Sequence, residues 1–187
     1  MPSMSRKGSA ERMNLWLFGY GSLIWRPDIA FIERRTARVH GWSRRFWQGS
    51  HDHRGLPDAP GRVVTLIQEN HASCDGMAYL VDSEVAEETF SQLDHREKNG
   101  YERHRVQLEF RDHDDLTDGV VYIAPVNNFA YLGPAPVETM ASQILAAIGP
   151  SGPNIDYLMD LAAALRAIDA EDNHVFELES AVRDLAS

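Results

Sequence analysis

A chain of 187 residues with 43% hydrophobic and 25% charged side chains, and a mean hydropathy of −0.37, has the make-up of one globular domain and excludes wholesale disorder. Eighteen Lys and Arg against 28 Asp and Glu leave a net charge of −10, which argues against a nucleic-acid backbone or an anionic membrane surface as the main partner. Apolar runs such as Leu15 to Phe18 and Ile144 to Ile148 fall far short of the roughly 20 residues of a membrane span. With no apolar core before Leu15 to form a secretory signal, the expected address is cytoplasmic. Cys74 is the single cysteine, so no intramolecular disulfide forms.

Residues 1–13 read as a loose tail before a single domain over 14–187. Runs rich in β-branched and aromatic residues predict strands at Leu15 to Tyr20, Ala37 to Gln48, Arg62 to Gln68 and Gly76 to Val81. A helical window follows at Glu84 to His95, with Val85, Thr89 or Phe90, and Leu93 on one face; Asn99-Gly100 marks its end. Two more strands are predicted at Tyr101 to Phe110 and Gly119 to Ala124. Three helices then close the chain. The first carries Val137, Met140, Ala141, Ile144, Leu145 and Ile148 behind Pro136 and stops at Gly149-Pro150. The second starts after Asn154 as N-cap, and the third starts near Glu171 with Val175, Leu178, Val182 and Leu185 inward. The stretch Gly149 to Asn154 reads as a turn between helices. Strands first and helices later give an α+β class, with the helices packed on one side or end of the sheet or small barrel.

Charge is unevenly spread. Residues 1–62 hold 11 of the 18 basic residues and only five acids, a local charge of +6 against −16 in the rest. Either these arginines pair with the acidic remainder, or they draw in an anionic small molecule.

Phe18-Gly19-Tyr20-Gly21-Ser22-Leu23-Ile24 is the most informative segment. An apolar strand breaks into two glycines, whose exposed N–H groups suit a carboxylate or a developing oxyanion; an ordinary β-turn is the alternative. The spacing fits neither a dinucleotide fingerprint nor a nucleophile elbow. Glu97, at a helix end beside Arg96 and Lys98, is a candidate general acid and base, with Asp94 as its rival and a plain surface acid as the bland reading. His51-Asp52-His53 invites a metal, but nothing completes a coordination sphere. Cys74 reads as a small buried side chain rather than a nucleophile. The interleaved Arg44-Arg45-Phe46-Trp47-Gln48 reads as a half-buried strand rather than a nucleic-acid surface.

Taken together, the segments Phe18 to Trp25, Arg44 to Ser50 with Asp52 to Gly55, Pro60 to Leu66, Leu93-Asp94 with Arg96 to Lys98 and Gly100-Tyr101, Tyr131 to Pro136, and Gly149 to Gly152 with Asn154 and Tyr157-Leu158 resemble the ChaC-type, glutathione-specific gamma-glutamylcyclotransferases. The blocks span Leu15 to about Leu178. Departures fall at His95 and Asn99 and remove no group the chemistry needs. The resemblance implies a gamma-glutamylcyclotransferase-like mixed β-barrel with flanking helices. It also implies a lyase-type cleavage of glutathione to 5-oxoproline and cysteinylglycine, without metal or other cofactor. It further implies that Leu17, Phe18, Gly19, Tyr20, Gly21, Ser22 and Leu23 hold the gamma-glutamyl unit and that Glu97 is the proton acceptor.

That chemistry is coherent with the residues. The α-amine of the gamma-glutamyl unit attacks its own side-chain carbonyl, so the nucleophile is already tethered and only attack geometry and proton transfer remain to be supplied. Arg44, Arg45, Arg54 and Arg62 are candidates for the glycyl carboxylate, and Tyr131 and Tyr157 for the pocket wall. Two rival readings stay open: a non-catalytic binding or regulatory protein linked to cation transport, and a cyclotransferase for another gamma-glutamyl peptide or amine. The expected partner is a small molecule, and the expected state is a monomer.

Overall fold

The computed structural model describes residues 13–187; apart from Met13, which is exposed, the tail expected over 1–13 lies outside the described residues. Five strands form a closed barrel: β1 (Leu15–Gly19), β2 (Glu33–Ser50), β3 (Gly61–Val81), β4 (Glu102–Phe110) and β5 (Leu116–Ile123), in the order β1-β3-β2-β4-β5. Every ladder is antiparallel except the closing one, where β1 runs parallel to β5 with Phe18 opposite Val121. A short 3₁₀ turn (Ser22–Ile24) follows β1, and helix α1 (Ala86–Arg96) bridges β3 to β4. Helices α2 (Val137–Ala146), α3 (Asn154–Ala167) and α4 (Asn173–Leu185) follow the barrel, with strands β6 (Ile148–Gly149) and β7 (Gly152–Pro153) paired between α2 and α3.

The alternation of β1 sorts its side chains into two cores. Phe18 faces the barrel interior, where it joins Phe46, Val64, Leu66, Leu108 and, from the helices, Ile144, Leu158 and Leu161. Leu17 faces outward into a second cluster with Leu23, Val81, Phe90 and Leu93, which fixes α1 to the barrel wall. Each such fully buried Leu, Ile or Phe contributes roughly 1.5–3 kcal/mol, so α1 is anchored firmly at the end that carries Glu97.

The two strands expected at Arg62 to Gln68 and Gly76 to Val81 are one 21-residue strand, β3. The polar stretch between them is a bulge rather than a break. The register shifts between His40 and Trp42, where residues 69–72 bow out opposite Gly41, whose φ of +81° only glycine adopts without strain. Ile148, expected on the apolar face of α2, is 61% exposed, because the chain turns extended at Ala147 to build the β6–β7 hairpin in place of a plain interhelix turn. Asn154 is not a cap. Pro153 holds that position, while the buried Asn154 side chain accepts from Arg62 N–H (2.7 Å) and donates to Arg62 C=O (2.8 Å), pinning α3 to β3. Leu185 is half exposed at the fraying end of α4, whose N-cap is Asp172.

The basic N-terminal third does pair with the acidic remainder. Arg38 meets Asp75 at 2.7 Å, Arg45 meets Glu69 at 3.1 Å, and Arg44, buried, meets Asp172 at 2.6 Å.

Candidate active site

A cavity of about 380 Å³ opens between the end of β1, the 3₁₀ turn, the segment after β2, the last turn of α1 and the first turn of α3. That volume lies in the range of small-molecule sites. Of the loop residues singled out in the sequence, Phe18, Tyr20, Gly21, Ser22 and Leu23 line it; Leu17 and Gly19 do not, Leu17 because its side chain belongs to the outer core. The loop turns tightly. Ile24 N–H closes on Gly21 C=O at 2.9 Å and Arg26 N–H on Ser22 C=O at 2.7 Å. Ser22 and Leu23 therefore stand at the start of the turn, where N–H groups have no intrahelical acceptor. Such a pair beside a cavity suits a carboxylate or an oxyanion.

The glycines are required by close approach. A Cβ on Gly19 would lie 2.6 Å from the Leu23 Cβ, and one on Gly21 would lie 2.9 Å from the Tyr157 hydroxyl and 3.0 Å from a Val64 methyl. The loop is held from behind by Arg44, whose Nε donates to Tyr20 C=O at 2.7 Å while its guanidinium binds Asp172 and Asp75 C=O.

Glu97 closes α1: its N–H donates to Leu93 C=O at 2.8 Å, and its own C=O receives Tyr101 N–H at 3.3 Å. The backbone is fixed on both sides, and the side chain, 18% exposed, lines the cavity. Burial raises the Glu97 carboxyl above the ordinary carboxylate range; Arg96 and His53 pull it back, and Asp52 reinforces the rise. Arg96, with its Nε 3.5 Å from the Glu97 carboxylate, also staples α1 to the loop. Its Nη2 donates to Ser22 Oγ (3.2 Å) and Arg26 C=O (3.1 Å), and its Nη1 to Pro27 C=O (3.2 Å). The rival carboxylate Asp94 is outside the cavity, bound by Tyr122 Oη at 2.7 Å and Arg103 at 3.0 Å.

Three tyrosines share the cavity with Glu97, Tyr20 and Tyr157 buried and Tyr101 partly buried. Tyr20 Oη donates to Tyr122 C=O and Tyr101 Oη to Val64 C=O, each at 2.7 Å, whereas Tyr157 Oη accepts from Val64 N–H at 3.4 Å. Burial, with the Glu97 charge adding to it, raises all three phenols, so they stay neutral. The two that donate to carbonyls are structural. Tyr157, an acceptor from the backbone, keeps its proton for another partner.

Among the four arginines proposed from sequence, the fold separates one. Arg54 is buried and lines the cavity, with Nη1 donating to Pro153 C=O at 3.1 Å. Arg62 is committed to Gln143, Phe46 C=O and Gly133 C=O, Arg45 to Glu69, and Arg44 to the rear of the loop. Tyr131 bridges to Gln48 away from the cavity. Cys74 is buried and its thiol is pushed up to about 11 by burial, unsuited to nucleophilic attack. No group of three or more His, Cys, Asp or Glu that could hold a metal exists among the described residues. Tyr101 and Asn99 line the cavity without having been singled out as site residues, and so does Asp52, which the sequence offered only as part of a metal triplet. Only the fold brings these separate segments together.

The sequence pattern of the family described as ChaC-like protein matches residues 15–185. Glutathione-specific gamma-glutamylcyclotransferase 1 of Mus musculus is 42% identical over 184 residues, covering 95% of this chain and 82% of that protein. Its Homo sapiens counterpart is 43% identical over 181 residues, covering 94% and 82%. The crystal structure of a selenomethionine-labelled gamma-glutamyl cyclotransferase specific to glutathione from yeast superposes with a TM-score of 0.86 at 30% identity, covering 91% of this chain and 96% of that one. Barrel, helices and matched sequence therefore agree, and the chain belongs to the ChaC-like protein family.

Proposed function

We propose that this protein is a glutathione-specific gamma-glutamylcyclotransferase that cleaves glutathione to 5-oxoproline and cysteinylglycine without metal or other cofactor. The carrying observation is Glu97, a largely buried carboxylate with raised proton affinity on a rigid helix end, in one cavity with the loop from Tyr20 to Leu23. The names of its relatives in mouse, human and yeast support the substrate.

In this reading the N–H groups of the loop and the phenol of Tyr157 receive the gamma-glutamyl unit and the oxygen that gains charge during attack. The α-nitrogen bonds to the side-chain carbonyl carbon, closing the five-membered ring as the amide bond to cysteine breaks. Glu97 takes a proton from the α-nitrogen and delivers one to the departing nitrogen. Over a turnover the α-ammonium loses two protons and the leaving amine gains two, so no net proton is consumed. Arg54 is the arginine placed to meet a second substrate carboxylate, since guanidinium pairs with carboxylate in a fixed fork.

The domain over 14–187, the monomeric state and the cytoplasmic address belong to the same reading. No helix among the described residues is long and apolar enough to cross a membrane. Size-exclusion chromatography with light scattering tests the oligomeric state. Incubation of purified protein with reduced glutathione, followed by mass spectrometry of 5-oxoproline and cysteinylglycine, tests the reaction, with Glu97→Gln alongside. Product from the parent and not from the variant is expected; a folded parent that makes none from glutathione or a panel of gamma-glutamyl peptides overturns it.

A further inference from the structure

Among buried side-chain nitrogens and oxygens of the described residues, two have no hydrogen-bond partner, Asp52 Oδ1 and His104 Nε2. His104 lies on β4, and its half-exposed ring is 3.8 Å from Glu102. Asp52 is different, because it stands in the cavity wall, on the segment joining β2 to β3. Although its side chain as a whole is 37% exposed, Oδ1 is buried, and the neighbouring His53 ring lies 3.8 Å from the other oxygen, Oδ2. An ionised carboxylate accepts several hydrogen bonds, and an oxygen buried without a donor is a cost that folded proteins rarely leave uncompensated. A ligand that brings an N–H donor with positive charge removes it.

The substrate proposed above carries one such group, the α-ammonium, and no gamma-glutamyl compound can cyclise without that nitrogen. Asp52 lines the same cavity as Glu97 and Tyr101, and its charge is felt at both, so the orphaned oxygen belongs to the site that holds the group taking the proton. We infer that Asp52 forms an ammonium subsite: its Oδ1 accepts an N–H from the α-ammonium of the gamma-glutamyl unit and holds that nitrogen between Asp52 and Glu97. One carboxylate orients the nucleophile and the other deprotonates it. The inference rests on the proposed reaction and assigns a residue to its nucleophile.

The test is a comparison of ligands with and without the amine. Asp52→Asn keeps the size of the side chain and removes its charge, and Asp52→Ser removes the reach as well. The amine-free probe is glutaryl-cysteinylglycine, which retains both carboxylates and the scissile amide but cannot cyclise, so it is read as a competitive inhibitor. Loss of one charge-assisted hydrogen bond predicts a rise of about tenfold to hundredfold in KM for glutathione. The inhibition constant of the amine-free analogue should stay within about twofold, which also shows that the cavity is intact. An unchanged KM, or an equal loss for both ligands, overturns the assignment. So does a selective rise in the inhibition constant of cysteinylglycine, which would place the leaving amine at Asp52. Parent turnover reports separately on the reaction itself.

Discussion

The phenol oxygen of Tyr157 lies 2.9 Å from the point that a Cβ on residue 21 would occupy, so α3 closes directly over the site loop. Gly21→Ala is therefore expected to push the loop or the tyrosine out of place. A shift of about 1 Å at a reacting centre costs about 10²-fold in rate. Steady-state kinetics on glutathione checks the single variant. In Gly21→Ala combined with Tyr157→Phe the crowding is relieved, and the double variant should be less impaired than the two single losses multiplied. Strictly multiplicative effects would show that the contact does not govern the loop.

Glu97→Gln is expected to fold and to lose about 10²-fold to 10⁴-fold in kcat, the range for a positioned acid and base. Because burial raises the Glu97 carboxyl, the acid limb of the kcat/KM profile should lie above the ordinary value of 4.5. The same shift has a consequence for stability. A raised folded-state value means that the native protein holds this proton more tightly than the unfolded chain, so its contribution is present below 4.5 and is lost as pH rises through the folded value. At neutral pH the Gln variant should thus be more resistant to urea than the parent, and the advantage should vanish at pH 4. A variant less stable than the parent at pH 7 would contradict the burial argument.

His174 accepts Phe46 N–H at 2.9 Å and is largely buried, and burial pulls its ring down to about 4. The unfolded chain binds this proton near 6.5, so the stabilisation present at pH 7 is lost as pH falls toward the folded value. Between pH 7 and 5 the loss from this residue should be about 2 kcal/mol. Urea unfolding of the parent and of His174→Asn at the two pH values isolates it: the variant should be less stable at pH 7 and less sensitive to acid. Parallel pH dependences would assign the acid sensitivity elsewhere.

Arg44, buried, and Asp172, partly buried, lie 2.6 Å apart and tie the first turn of α4 to β2, and the same arginine holds the carbonyl of Tyr20. Asp172 also caps α4 through Val175 N–H at 3.1 Å. Arg44→Met leaves a carboxylate and two carbonyls without their donor and is expected to destabilise the fold by about 3–5 kcal/mol. It should also lower activity beyond what unfolding explains, since the loop loses its rear support. Chemical denaturation read beside kcat/KM at low temperature separates the two effects. A stable variant with full activity would show the arginine to be dispensable to both.

Much of this architecture was legible in the chain. Periodicity located the four α-helices of the described residues, within a few residues at most ends, because the apolar stripes of α1, α2, α3 and α4 repeat at helical spacing and turn residues bound them. The loop from Phe18 to Ile24 stood out because two glycines interrupt an apolar strand, and Glu97 because a carboxylate at a helix end is held rigidly. Where local reading failed, a long-range contact was responsible. The polar residues 69–72 look like a strand end, but pairing with β2 carries the ladder past them as a bulge. Asn154 looks like a cap, but its amide is worth more satisfying the buried backbone of Arg62.

The sequence by itself determined the fold class and the residues able to do acid–base chemistry, because those depend on side-chain type, on spacing within an element and on the order of elements, and it carried the family through a resemblance spread over blocks from Leu15 to about Leu178. Only the tertiary structure decided which of them share a cavity. It separated Glu97 from Asp94 and Arg54 from Arg44, Arg45 and Arg62. It also left an oxygen of Asp52 buried without a donor, in the cavity that Glu97 lines. Such choices turn on burial and on partners distant along the chain, which no local pattern encodes.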